Sequence, residues 1–416
     1  MKEHVVAAID VGSSKICTLV AETTPESELR ILGVGVTPSH GVKKGMVDNI
    51  QQATEAITTS VERAEKSSGS RIVSAHVSIG GNHTQSMNNR GIATIAGKQR
   101  PITTEDIERA QEGASNLNLP TNREVLHSIA RFFVVDGQEQ VTDPVGMYGQ
   151  RLDMDCHIVT GSVTAGQNLT QCVEGAGVVV DALVFSPLAA AEAVLEDEEK
   201  EQGVILADIG GGTTDIAVFV DGGVFHTTVL PVGGYHLTQD LVAGLRAPFS
   251  TVEELKVRHG SCLPSRVDAE ETVEIESFGG HRTKEVPRRR IAEILQARVE
   301  EMLEMIYIDV KRSGFDDMVS AGLVLTGGTA ALPGIVELSE LVLRMPVREG
   351  VPKRIYGLAD TLNSPAYGAS VGLLHWAAED ANASPNGHKP ELKLPNLPIE
   401  KVVGAAGRWI KTLIPK

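Results

Sequence analysis

A short pattern occurs once in each half of the chain, and it constrains the fold more than any other feature. Ala8-Ile9-Asp10-Val11-Gly12-Ser13-Ser14-Lys15-Ile16 returns in kind as Ala207-Asp208-Ile209-Gly210-Gly211-Gly212-Thr213-Thr214-Asp215-Ile216. Each copy reads as a strand, an Asp-x-Gly, a turn of small residues and a second strand. The separation is that of a half-molecule, not of a solenoid repeat. The pattern therefore predicts two similar domains that face each other across a cleft.

The residue types in these turns suit phosphate. Gly and Ser let the backbone come close to a ligand and aim its N–H groups at one point. The hydroxyls of Ser13, Ser14, Thr213 and Thr214 add donors, and Lys15 adds a cation. Asp10 and Asp208 would repel phosphate directly; they make sense as partners of a hydrated Mg²⁺, which keeps its waters and uses few carboxylates. Two such hairpins can clamp one nucleotide. A third element, Leu325-Thr326-Gly327-Gly328-Thr329, ends a strand in two glycines and opens a helix, which lets backbone approach a sugar and its α-phosphate. Glu253 and Lys256 share one face of a predicted helix and are candidates for ribose or base. Singly, each piece is an ordinary turn or a solvated helix face. Their order along one chain carries the nucleotide reading.

Composition narrows the class. The 416 residues allow several domains. Aromatic residues make up only 4% while Gly numbers 42, so cores must be built from Val, Ile, Leu and Ala around many turns. That suits an α/β protein better than a β-sandwich. A net charge of −16 disfavours nucleic acid and anionic lipid over most of the surface, so any membrane contact needs a local exception. Cys17, Cys156, Cys172 and Cys262 form no CxxC pair, which fits a reducing cytosol without disulfides or a cysteine metal site. Neither a signal peptide nor a transmembrane run is expected.

Periodicity places a first-lobe core at 1–81 and 157–201, interrupted at 82–156 by a small inserted α/β subdomain. A second lobe takes 202–233 and 314–379, with a subdomain at 234–313 that ends in a long helix at 288–313. Residues 380–398, rich in Pro, Asn and polar residues, read as a flexible linker.

On these motifs the chain resembles the superfamily of actin, sugar kinases and heat-shock chaperone ATPases. Asp10–Lys15 is similar to its first phosphate motif, Asp208–Asp215 to its second and Leu325–Thr329 to its adenosine motif. Ser186–Ala191 and Ala366–Ala369 are similar to its two connecting motifs. Within the superfamily the chain resembles the FtsA family, through Gly41–Gly45, His157–Gly161, Leu230-Pro231-Val232-Gly233-Gly234 and Val324–Gly328. The resemblance implies a two-lobed actin-like (ribonuclease H-like) α/β fold with an SHS2-like insertion at 82–156. It implies ATP and Mg²⁺ as cofactors, with Gly233 and Gly234 joining the nucleotide set. It further implies self-assembly into filaments, recruitment of the tubulin-like FtsZ to the cytoplasmic side of the bacterial membrane at the septum, and contacts of 82–156 with later division proteins. One departure concerns chemistry. Related branches carry a glutamate before the proline of the first connecting motif, where it orients the attacking water; here that position is Ser186. Serine cannot act as that base, so slow hydrolysis or none is expected. A pilus-assembly homologue, a small-molecule kinase and a chaperone ATPase are the competing readings within the superfamily.

Residues 399–416 read as an amphipathic helix. Val402, Val403, Trp409, Ile410, Leu413 and Ile414 fall on one face, with Arg408 and Lys411 on the other. Trp at the headgroup boundary and cations toward anionic lipid suit a helix lying in the membrane interface. Arg288, Arg289 and Arg290 with Glu293 open the 288–313 helix, and the resemblance makes this a candidate dock for the acidic tail of FtsZ.

Overall fold

The repeat in the sequence is a repeat of sheet topology. The computed structural model describes residues 4–23, 28–95, 100–278 and 283–383. The first sheet runs in the order Val179–Phe185, Ser74–Ile79, Val5–Val11, Lys15–Thr23, Leu29–Pro38, with the short strand Ile355–Gly357 at its far edge. The second runs Val347–Glu349, Gly322–Thr326, Val204–Ile209, Thr214–Val220, Gly223–Leu230. In each, an antiparallel meander of consecutive strands is extended beyond its first strand by parallel strands that arrive later in the chain. The central strands are apolar almost throughout, as strands covered on both faces must be; Thr214–Val220 is buried at every position.

Two helices, Ser186–Val194 and Gly368–Ala383, join the sheets. One core cluster takes Ala8 and Leu19 from the first sheet, Leu206, Ala217 and Val324 from the second, and Leu188, Ala190, Val371 and Leu374 from the helices. The alanines of the first helix and Gly372 of the second let the backbones nearly touch. A Cβ at Gly372 would lie 1.7 Å from the Ala189 carbonyl oxygen. The second helix runs on to Ala383, so residues 380–383 are helical where the sequence suggested the start of a linker. The rest of that linker and the 399–416 helix, with Val402, Val403, Arg408, Trp409, Ile410, Lys411, Leu413 and Ile414, lie outside the described residues.

The inserted unit has its own sheet, ordered Gln85–Thr94, Arg151–Ser162, Arg123–Val135, Gln138–Val141, covered by helix Thr104–Ser115. Its core gathers Ile107, Phe133, Leu152, Met154 and Ile158. Strand Arg151–Ser162 pairs along its whole length within this sheet, past the boundary at 156 that the sequence suggested.

The insertion also grips the second lobe. Ser86 Oγ donates to the Thr227 carbonyl at 2.7 Å and Asn88 Nδ2 to the Phe225 carbonyl at 3.1 Å. The His157 ring bridges Asn88 Oδ1 at 2.7 Å and Thr227 Oγ1 at 2.9 Å. Burial pushes His157 down to about 3, so the ring is neutral and has a single N–H. An amide oxygen only accepts, which puts that proton on Nδ1. Thr227 then donates to Nε2, and the chain of bonds closes through Asn88 onto Phe225. The Arg131 guanidinium lies 3.7 Å from the centre of the Phe225 ring and pairs with Asp155 at 2.8 Å.

In the 234–313 region, helices Gly234–Leu245, Phe249–His259 and Arg288–Ser313 pack on the second sheet. The long helix buries Ile291, Leu295, Val299, Met302, Ile306 and Val310, a stripe at steps of three and four. Gly314, at φ 80°, caps it in the left-handed conformation.

Candidate functional site

Both turns of the repeated pattern open onto one cleft between the lobes, with a volume of about 380 Å³. Each is a hairpin tied across its neck: Gly12 N donates to the Lys15 carbonyl at 3.1 Å, and Gly210 N to the Thr213 carbonyl at 2.9 Å. Of the residues expected from the sequence, Asp10, Gly12, Ser13, Ser14, Lys15, Asp208, Gly210, Gly211, Gly212, Thr213, Gly234, Glu253, Lys256, Gly327, Gly328 and Thr329 line this cleft. Two are absent from its wall. Thr214 begins the buried strand and donates its hydroxyl to the Val232 carbonyl at 2.8 Å. Gly233 stands behind the second hairpin, where a Cβ would lie 2.7 Å from the Gly210 carbonyl oxygen. Ser186 and Ala366 of the connecting segments reach the cleft as well.

Asp215 and Gly45, which the sequence placed in matched motifs without a site role of their own, also line it, as do Tyr235, Gly80 and Gly81, which were not expected there. Asp215 had a usable signal, because it sits directly opposite Asp208 across the hairpin. Tyr235 had none, since its polar partner is a main-chain carbonyl of the other lobe.

The carboxylates differ in their surroundings. Asp10 accepts from Ser78 Oγ at 2.9 Å and Ser370 Oγ at 2.7 Å. Among the described residues no side chain donates to Asp208, and burial, with Asp10 adding to it, pushes its carboxyl up to about 7. Burial beside Asp208 holds Asp215 well above the usual carboxylate range, and its Oδ1 is buried without a hydrogen-bond partner. The nearby cation is Lys15, whose ammonium donates to the Ala366 carbonyl and lies 3.8 Å from the centre of the Tyr367 ring. Burial lowers its pKa.

This donor set fits a hard divalent cation. Crowded carboxylates with a buried orphan oxygen and one lysine between them are under-compensated, and oxygen ligands on a hydrated cation relieve that. Among the described residues no group of three or more His, Cys, Asp or Glu has the spacing of an all-protein metal cage. A cation that keeps waters and phosphate oxygens does not need one. The glycines fit a phosphate chain. Gly327, at φ 86°, admits no Cβ, which would lie 2.3 Å from Asp208 Oδ1, while beside Gly328 there is nothing within 4 Å.

Glu253 and Lys256 are tied to each other at 2.8 Å, and Lys256 also donates to the Gly234 carbonyl at 3.0 Å and Thr238 Oγ1 at 2.9 Å. They form a rigid polar corner of the cleft next to Val257, Leu332 and Pro333. The arginines of the long helix lie elsewhere. Arg288 pairs with Glu271 at 2.8 Å and donates to the His259 carbonyl at 3.0 Å, which braces the fold. Arg289 is exposed, and exposed Arg290 pairs with Glu293 at 3.2 Å.

Comparison with known proteins agrees with this architecture. The family described as cell division protein FtsA matches residues 205–372, and the SHS2 domain inserted in FtsA matches residues 81–160. The cell division protein FtsA of Pseudomonas aeruginosa is 41% identical over 374 residues, 90% of this chain and 89% of that protein. FtsA of Escherichia coli K12 is 33% identical over 98% of this chain and 96% of its own. Among solved structures, a PilM–PilN type IV pilus biogenesis complex shares the fold with a TM-score of 0.64 at 14% identity, covering 90% of this chain and 98% of that one. MreB5 of Spiroplasma citri bound to ADP does so with a TM-score of 0.55 at 13% identity, covering 92% and 99%. With two lobes of actin-like topology, a separate inserted sheet and relatives that match it nearly end to end, the chain belongs to the FtsA family of cell division proteins.

Proposed function

We propose that this chain binds ATP with Mg²⁺ in the interlobe cleft, assembles with copies of itself, and tethers FtsZ to the cytoplasmic side of the membrane at the division septum. The observation that carries the reading is the pair of Asp-Gly hairpins facing one cleft in an FtsA-family chain. Asp10, Asp208 and Asp215 would hold the cation, whose charge offsets theirs and that of the phosphates. The backbone N–H groups of residues 12–15 and 210–213 would cradle phosphate oxygens, with Lys15 as counter-charge. The corner of Glu253 and Lys256 beside Val257 and Leu332 would meet ribose and base. Ser186 reaches the cleft but donates to the Ile79 carbonyl at 3.3 Å, and no carboxylate stands at that position. Water is therefore poorly activated and hydrolysis is slow.

Among the described residues no helix is long and apolar enough to cross a membrane. The amphipathic pattern at 399–416 supports attachment by a helix lying in the interface. One such helix binds weakly, and assembly supplies avidity by arraying many. Exposed Arg289 and Arg290 are the residues of the basic cluster suited to an acidic FtsZ tail, while 82–156 would meet later division proteins. The test is co-sedimentation with vesicles containing anionic lipid, with and without ATP, for the full chain and a chain ending at residue 398. The full chain should pellet vesicles and carry an FtsZ tail peptide with it, and the shortened chain should do neither. Equal pelleting by both would refute the anchor.

A further inference from the structure

The two hairpins touch each other, and one side chain staples them. A Cβ at Gly211 would lie 2.9 Å from Ser14 Cβ, and one at Gly212 would lie 2.9 Å from Ser13 Oγ. Tyr235 sits at the start of helix Gly234–Leu245 in the second lobe. Its main-chain N–H donates to the Gly211 carbonyl at 2.8 Å, which fixes it to the second hairpin. Its hydroxyl crosses the cleft and donates to the Ser13 carbonyl in the first hairpin at 3.0 Å. Ser13 is held from its own side, because its Oγ accepts from Gly45 N at 3.0 Å. The Tyr235 ring packs edge-on against Phe249, centroids 5.9 Å apart, so the hydroxyl is aimed rather than swinging free.

We infer that Tyr235 is a latch across the cleft, which sets how fast the lobes part for nucleotide to enter and leave. This rests on the nucleotide reading of the cleft. The bond joins protein groups on both sides and needs no ligand atom. It therefore holds the closed form whether the cleft is filled or not. Such a latch slows entry and exit by the same factor and leaves their ratio unchanged. A direct contact to the ligand behaves differently: its loss speeds exit alone and weakens affinity.

The test is stopped-flow kinetics of a fluorescent ADP analogue with Mg²⁺ on the full chain and on Tyr235→Phe. That substitution removes the hydroxyl and keeps the ring against Phe249. Loss of one neutral hydrogen bond predicts association and dissociation both faster by about three- to tenfold, with Kd unchanged within about twofold. Melting temperature controls for folding, and Tyr235→Ala should show rates at least as fast. Unchanged rates in a Tyr235→Phe chain that binds the analogue overturn the latch alone. Faster dissociation with a matching rise in Kd also overturns it, in favour of a direct contact. No binding by the unsubstituted chain overturns the nucleotide reading and the latch with it.

Discussion

Asp10, Asp208 and Asp215 crowd the base of the cleft with Lys15 as their nearest cation, and the fold carries the cost. A carboxyl raised to about 7 binds its proton more tightly folded than unfolded. Its contribution to stability is present at acid pH and is lost as pH rises toward and through 7. Asp208→Asn removes that penalty. The ligand-free variant should melt about 2–4 °C higher than the unsubstituted chain at pH 8, with the difference shrinking as pH falls and gone below about pH 4. It should also lose the Mg²⁺-dependence of nucleotide affinity. A melting point unchanged at pH 8 would mean that Asp208 is well solvated. The glycines give a second prediction. Gly328→Ala has room for its methyl and should keep its melting temperature while weakening nucleotide affinity roughly tenfold by filling the cleft. Gly327→Ala should cost about 1–3 kcal/mol in denaturant titration, because φ is 86° and Asp208 is in the way. At this scale the sequence put the hairpin residues in turns through their Asp, Gly and hydroxyl side chains, and those turns line one cleft. It misled at Thr214, where strand alternation turns the hydroxyl inward, and was silent at Tyr235, whose partner comes from the other lobe.

Strand Arg151–Ser162 ties the inserted unit to the second lobe, and its His157 is buried neutral. His127, whose Nε2 accepts from Phe185 N at 2.9 Å, is pushed down by burial to about 4, and so is His375. All three lie below their unfolded values near 6.5, so the unfolded chain binds more protons as pH falls below that. The stability they contribute is complete above about pH 6.5 and drains away toward pH 4. These three histidines pull the urea midpoint down between pH 7 and pH 5, against the raised carboxyls of Asp208, Asp215 and Glu379, which push it up over the same range. His157→Gln keeps one donor and one acceptor but no titrating proton, so relative to the unsubstituted chain its midpoint should gain as pH falls from 7 to 5, after a cost of about 1 kcal/mol at pH 7. His157→Ala should cost about 2–4 kcal/mol, because Asn88 Oδ1 and Thr227 Oγ1 lose their partner in the ring. A slope that His157→Gln leaves untouched would deny the buried neutral state. Elements with strong local signals were legible: strand Gly322–Thr326 and helix Arg288–Ser313 fall where their patterns put them. Which sheet His157–Gly161 joins was not legible, because an apolar run reads the same in either. Pairing with the distant strands Gln85–Thr94 and Arg123–Val135 decides it.

At the scale of the whole molecule, the internal echo foretold two lobes of like topology, and the sheets repeat over five strands, with Ile355–Gly357 added at the edge of the first. The grip of the insertion on the second lobe had no counterpart in any local pattern, since it joins residues 86, 88 and 157 to 225 and 227 through main-chain oxygens and one ring. The insertion is rooted in one lobe and bonded to the other, so parting of the lobes must strain this clasp as well as the hairpin contact. If the chain assembles as proposed, arraying many copies of the amphipathic sequence at 399–416 should make vesicle binding steeply dependent on protein concentration, and a light-scattering titration reads this directly. The central claim is that one nucleotide lies in the cleft that the two hairpins line. Its most direct measurement is a crystal structure of the full chain grown with Mg²⁺ and a non-hydrolysable ATP analogue. Triphosphate density is expected in the cleft against residues 12–15 and 210–213, with the cation beside Asp10, Asp208 and Asp215; nucleotide density anywhere else on the molecule would contradict this placement.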